Sequence, residues 1–309
     1  MFTFDYGRLE CSPYSYFKNT CMERLENKMI CVEKASFQYE NSVSKAVNSV
    51  SFSLREGEVL GLLGHNGAGK STLLECLSGL RKLTGGNMTA DHLPVDQYKK
   101  TSFIPNDLYL YNLLTVEETF LYIGRLHSLS YDQIWKIADP LIQMFSLQEK
   151  RKEYVKHLSF GMKQKVALIL GILDSPRYLL LDEPMTGYDP LSTKTTKEFL
   201  LHLAKEQKTG ILLSSHRLDI VEDLCDRVLV IHQGVLVFDG SISSLKHDRS
   251  FEEALLSLVQ DDEHETRLTN DLNPKNGFKK MSFWDFLLRQ GASFFFLFFW
   301  ALFFQGIFL

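Results

Sequence analysis

"GLLGHNGAGKSTLLECLSGL" runs from Gly61 to Leu80, and its reading decides the fold. Gly64, Gly69, Lys70 and Ser71 fill the spacing G-x-x-x-x-G-K-[ST]. The apolar run Val59 to Leu63 precedes them, and a helix-like stretch from Ser71 to Leu80 follows. A strand, a glycine loop and a helix in that order aim backbone N–H groups and the positive end of the helix at one anion. The glycines allow the tight turn. The spacing places Lys70 at the β- and γ-phosphates of a nucleotide and the Ser71 hydroxyl on Mg²⁺.

Outward from that loop, period-two apolar stretches near Met29 to Tyr39 and Val50 to Leu54 predict strands. Residues 84–105 are short and mixed. From Thr115 to Leu173 the apolar spacing turns helical, as in "VEETFLYIGRLHSL" and "YDQIWKIADPLIQMF", which predicts a helical insert. "YLLLDEP" then reads as a buried strand ending in carboxylates. It is followed by a helix near Leu191 to Lys205 and the strands "GILLSSH", "RVLVIH" and "GVLVFDG". Strands alternating with helices predict an α/β fold of the P-loop NTPase type, with a mostly parallel central sheet and an antiparallel β subdomain before it.

Asp182 and Glu183 end the strand "YLLL". One carboxylate there is placed to ligate Mg²⁺, directly or through water, and the next to polarise a water for attack on the γ-phosphate. His216 ends "ILLSSH", where it is a candidate contact to the γ-phosphate or to that water, or a plain solvated strand-end histidine.

Composition narrows the classes. With 309 residues and a net charge of −4 the chain has no basic stripe, so no nucleic-acid partner is expected. The five cysteines form no C-x-x-C pair and fit a reducing compartment. Residues 1–28 contain no secretory h-region and read as an N-terminal extension. Residues 248–277 are polar and read as a linker. In residues 278–309 "FKKMSFWDFLLRQ" has the pattern of an interfacial helix, and Ala292 to Leu309, "ASFFFLFFWALFFQGIFL", is free of charge. Such a run of eighteen residues spans about 27 Å as a helix, slightly under the roughly 30 Å of a bilayer core, which makes it a candidate transmembrane segment in contact with lipid. Lys279, Lys280 and Arg289 before it predict that the preceding chain lies at the cytoplasmic face of the cell membrane.

The ordered set "GHNGAGKST" (64–72), "LSFGMKQK" (158–165), "LLLDEP" (179–184), "GYDP" (187–190) and "SSH" (214–216) resembles the ATPase subunit of ABC transporters, in its drug- and antibiotic-exporting branch. The resemblance covers residues 29–247, with the helical subdomain at about 115–173, and implies a subunit that binds and hydrolyses ATP with Mg²⁺. It implies that His65, Asn66, Gly67, Ala68 and Thr72 share the phosphate loop with Gly64, Gly69, Lys70 and Ser71. By the same resemblance Tyr39 stacks on adenine, Asp189 communicates between two sites, and Ser159 and Gly161 close over ATP held by a second copy in a head-to-tail dimer. A membrane permease, fused or separate, is the implied partner, and the apolar tail reads as its beginning, with a hydrophobic flap packed against a partner as the alternative.

The sequence departs from the family's pattern at several positions. Asn106 stands where the pattern has a Gln that reaches the metal, followed at the usual spacing by Tyr111 and Thr115. Its amide is one methylene short, which predicts contact to the metal through water. Phe160, Met185 and Tyr188 are further departures, while Lys70, Asp182, Glu183 and His216 are in place. Two function classes follow: an ATPase that powers transport, leaning to export, and a soluble ABC-type ATPase acting on nucleic acid or ribosomes. The second calls for tandem ATPase units or a long coiled-coil insert, and the sequence shows neither.

Overall fold

The computed structural model describes residues 28–246, 250–255 and 257. The N-terminal extension, the candidate interfacial helix, the apolar tail and most of the expected linker lie outside the described residues. Among the described residues ten strands run β1 (Met29–Phe37), β2 (Val47–Arg55), β3 (Val59–Leu63), β4 (Gly85–Ala90), β5 (Leu93–Pro94), β6 (Thr101–Ile104), β7 (Tyr178–Asp182), β8 (Gly210–Ser214), β9 (Arg227–His232) and β10 (Val235–Ser241). The helices are α1 (Lys70–Leu77), α2 (Val116–Leu126), α3 (Tyr131–Met144), α4 (Phe160–Ile172), α5 (Pro190–Gln207), α6 (Leu218–Leu224) and α7 (Ile242–Lys246).

The strands form two sheets. One is antiparallel, in the order β2-β1-β4-β5. The other has the order β10-β9-β3-β8-β7-β6; it is parallel from β9 to β6, with β10 antiparallel at its edge. Both faces of β3, β7 and β8 are covered, so their sequences are nearly continuously apolar and alternate residues enter two different cores. Leu60 and Leu62 of β3 and Tyr178 and Leu180 of β7 pack with β1, β2 and α1. Val59 and Leu63, with Leu179 and Leu181, face the core shared with α2 to α6. Gly61 lets α6 lie against β3, because a Cβ there would stand 2.8 Å from a Val221 methyl.

Register sets the site. Leu62 pairs with Ser214, and Ser214 with Asp182, so the carboxyl ends of β3, β8 and β7 stand level along one edge of the sheet. That edge is where parallel α/β sheets bind ligands. The insert is built from helices with strong starts. Thr115 with Glu118 and Ser130 with Gln133 form reciprocal capping boxes at α2 and α3. Arg151 lies 3.8 Å over the Trp135 ring and pairs with Glu117 and Asp139, closing the lower end of the insert.

Folded structure continues past residue 247. Residues 251–255 are helical, Ser250 and Glu253 cap each other, and Phe251 and Ala254 are buried in the same core as α5 and α6. The stretch expected to be a linker from residue 248 therefore includes this helical turn. Phe251, Ala254, Leu255 and Leu258 stand at helical spacing in the sequence, a short period that the surrounding polar residues overshadow.

Candidate nucleotide site

The loop after β3 is shaped by backbone. Gly69 holds φ 106°, and a Cβ there would lie 2.1 Å from the Ala46 carbonyl oxygen, so no side chain fits. Lys70 opens α1, and its ammonium donates to the carbonyls of Gly64 at 2.8 Å and His65 at 3.1 Å, inside the curve of the loop. Burial pushes the Lys70 pKa down, while the charges of Glu183 and then Asp182 push it up. Burial wins and the pKa is lowered, while the two carboxylates offset part of that cost for a buried lysine.

An open cleft of about 350 Å³ lies in front of this loop. Asn66, Gly67, Gly69, Lys70, Ser71 and Thr72 line one side, Asp182, Glu183 and Asn106 the other, and Tyr39 and Ala46 the rim. The Tyr39 hydroxyl bonds to the Thr72 hydroxyl at 2.9 Å, and the Arg81 guanidinium lies 4.9 Å from the Tyr39 ring centre.

Asp182 is 5% exposed, and one of its oxygens accepts from the Ser214 hydroxyl at 2.5 Å. Glu183 takes φ 52°, rare for a residue with a Cβ. Its N–H is shared between the Ser214 carbonyl at 3.2 Å and hydroxyl at 3.1 Å. Its carboxylate lies 2.8 Å from His216 Nδ1, with the imidazole largely in solvent. Ser71, Asp182 and Asn106 bring a hydroxyl, a carboxylate and an amide oxygen into one cleft, the hard donor set that suits Mg²⁺. Asn106 Oδ1 is buried without a hydrogen-bond partner among the described residues, an acceptor that a metal-bound water would satisfy.

Several residues singled out in the sequence do not line this cleft. His65 bonds through Nδ1 to the Asn66 carbonyl and packs edge-on against His232, and Ala68 is buried beneath the loop. Ser159 caps α4 by accepting from the Met162 N–H at 3.3 Å. Gly161 lies under the Gly187 carbonyl, where a Cβ would come to 3.0 Å. Asp189 caps α5; donation from the Ser192 hydroxyl and N–H holds its carboxyl below the usual range. Two residues of the site, Ser214 and Gln164, lie inside the motifs "SSH" and "LSFGMKQK", but the sequence alone gives neither a role. Gln164 is 3% exposed, and its Nε2 donates to the Glu183 carbonyl at 3.2 Å.

Comparison with known proteins fits this geometry. The family described as "ABC transporter" matches residues 47–186. The ABC transporter ATP-binding protein NatA of Bacillus subtilis is 36% identical over 215 residues, which are 68% of this chain and 87% of NatA. The chain belongs to the ABC transporter ATP-binding proteins. Another relative of this ABC ATPase is the linearmycin resistance ATP-binding protein LnrL of Bacillus subtilis, 33% identical over 204 residues, 64% of this chain and 65% of LnrL. Among solved structures, the ATP-binding subunit of an ABC transporter superposes with a TM-score of 0.69 at 28% identity, covering 74% of this chain and 99% of that one. The ABC ATPase thus has the P-loop fold of its family, binds ATP and hydrolyses it.

Proposed function

We propose that this ABC ATPase hydrolyses ATP with Mg²⁺ in a head-to-tail dimer and powers export through a membrane permease, working at the cytoplasmic face of the cell membrane. One observation carries the reading. The cleft gathers Lys70, Ser71, Asp182, Glu183 and Asn106 but leaves out Ser159 and Gly161, which sit together at the start of α4. A small hydroxyl and a glycine at a helix N-terminus suit phosphate, so this second half-site serves ATP held by another copy. A linearmycin resistance protein among the relatives supports export.

In this mechanism the loop N–H groups and Lys70 hold the β- and γ-phosphates, and the Tyr39 ring at the rim receives the adenine. Ser71, Asp182 and, through water, Asn106 would hold Mg²⁺, which when bound would supply charge neutralisation at the phosphates. Glu183 accepts the proton of the attacking water, and His216 at 2.8 Å fixes the direction of that carboxylate and reaches toward the γ-phosphate. Asp189, at the start of α5, communicates between the two sites of the dimer. Binding favours the closed dimer and hydrolysis releases it, a population shift that a permease converts to alternating access. The uncharged run from Ala292 to Leu309 meets the lipid.

The test is Glu183→Gln. With ATP and Mg²⁺ this variant elutes as a dimer on size exclusion and turns over very slowly. Turnover at the original rate removes Glu183 from the base role. For the tail, alkaline carbonate extraction separates the full chain from one ending at Asp261; equal release of both contradicts lipid insertion.

A further inference from the structure

Gln164 lies on α4, five residues after Ser159, with its side chain buried where the helix meets the end of β7. Its Nε2 donates to the Glu183 carbonyl at 3.2 Å, and its Oε1 is buried without a partner among the described residues. Turning the amide over would set two oxygens face to face, so the network fixes which end points at Glu183. Glu183 adopts a left-handed φ of 52°, a backbone state that persists only when the surroundings hold it. Ser214 grips the peptide on its N–H side and Gln164 on its carbonyl side.

The same helix is fastened to the segment after Glu183 at further points. Gly161 packs against Gly187, and Lys165 donates to the Ser192 hydroxyl at 2.6 Å, which in turn donates to Asp189. The start of α4 and the Glu183–Ser192 segment are therefore one mechanical unit.

We propose that Gln164 is a positioning residue for hydrolysis, whose amide holds the Glu183 peptide and so ties the aim of the Glu183 carboxylate to the placement of the helix that begins at Ser159. The proposal rests on the base role given to Glu183 above. When α4 seats on ATP of a second copy, Gln164 carries that seating to the water-activating carboxylate of its own chain. Gln164 touches neither phosphate nor water; it acts through Glu183.

The experiment uses the full-length chain and two near-isosteric variants. Gln164→Met keeps the volume and loses the donor. Its kcat falls by about tenfold, the rate equivalent of one backbone-directed hydrogen bond. Its KM for ATP stays within about twofold, because the binding loop is untouched. Gln164→Glu regains a donor only when protonated, and burial favours the protonated form. The ratio of its kcat to that of the unmodified protein therefore rises as pH is lowered from about 8.5 to about 6. A Gln164→Met kcat equal to the original, a matching rise in KM, or a flat Gln164→Glu ratio overturns the proposal. If Gln164→Met fails to fold, judged by its thermal midpoint, the Gln164→Glu ratio decides alone. Full turnover by Glu183→Gln removes the base role and this proposal with it. A silent Glu183→Gln beside a fully active Gln164→Met removes this proposal alone.

Discussion

Ser214→Ala takes away the hydroxyl that, among the described residues, donates to Asp182. Ser214 is fully buried in the middle of the parallel sheet, so no water replaces the lost donor. A hydrogen bond to a charged acceptor is worth about 1.5–3 kcal/mol. At about 2–4 °C per kcal/mol for a domain of this size, the melting midpoint falls by about 3–12 °C. The Glu183 N–H keeps the Ser214 carbonyl at 3.2 Å, so the base is less disturbed than the metal ligand. Losing an outer-shell partner of a ligating carboxylate weakens metal binding by about 10–100-fold. The assay is ATP turnover against Mg²⁺ concentration, with a thermal scan beside it. The Mg²⁺ concentration for half-activation rises by about 10–100-fold, and kcat at saturating Mg²⁺ returns to within about threefold of the original. An unchanged activation curve in a folded Ser214→Ala protein contradicts the assignment of Asp182 to the metal.

Further outcomes follow from single contacts. Gly69→Ala drives a Cβ to within 2.1 Å of the Ala46 carbonyl at φ 106°. Strain of about 1–3 kcal/mol at the loop weakens ATP binding by about 5–150-fold, measured with a fluorescent ATP analogue; unchanged affinity contradicts the close approach. Tyr178→Phe removes a donor 2.7 Å from Asp91, which also holds Arg177 and Tyr98. Unfolding in urea loses about 1.5–3 kcal/mol of stability, and a neutral result contradicts the network. Burial pushes the Cys76 thiol up to about 11 and raises Cys225 further, so at pH 8 neither forms much thiolate. Brief alkylation followed by mass spectrometry finds both slower than the partly exposed Cys31; equal labelling contradicts their burial.

Much of the parallel sheet was legible because its physics is local. Val59–Leu63, Tyr178–Asp182 and Gly210–Ser214 are continuous apolar runs bounded by glycine or charge, as strands covered on both faces must be. The capping boxes at Thr115 and Ser130 announce α2 and α3. Gly85–Ala90 escaped because glycines and mixed polarity mask its period, and Leu218–Leu224 because seven residues hold too few turns to show one. Lys70, Ser71, Asp182 and Glu183 were legible through motif spacing, and the structure brings them to one cleft. Ser214 and Gln164 stand inside quoted motifs, but their roles were not legible, since what they do depends on the pairing of β8 with β7 and of α4 with the end of β7, which only the fold creates.

The head-to-tail dimer is tested most directly by mixing two silent proteins. Lys70→Ala lacks the phosphate contact but has an intact α4 start, and Ser159→Arg has an intact loop but a blocked α4 start. Random pairing makes half the dimers mixed, each with one of two sites complete, so the mixture recovers roughly a quarter of the original ATPase rate when the sites act independently. A mixture as silent as its components shows that Lys70 and Ser159 work within one chain, and the shared site is then wrong.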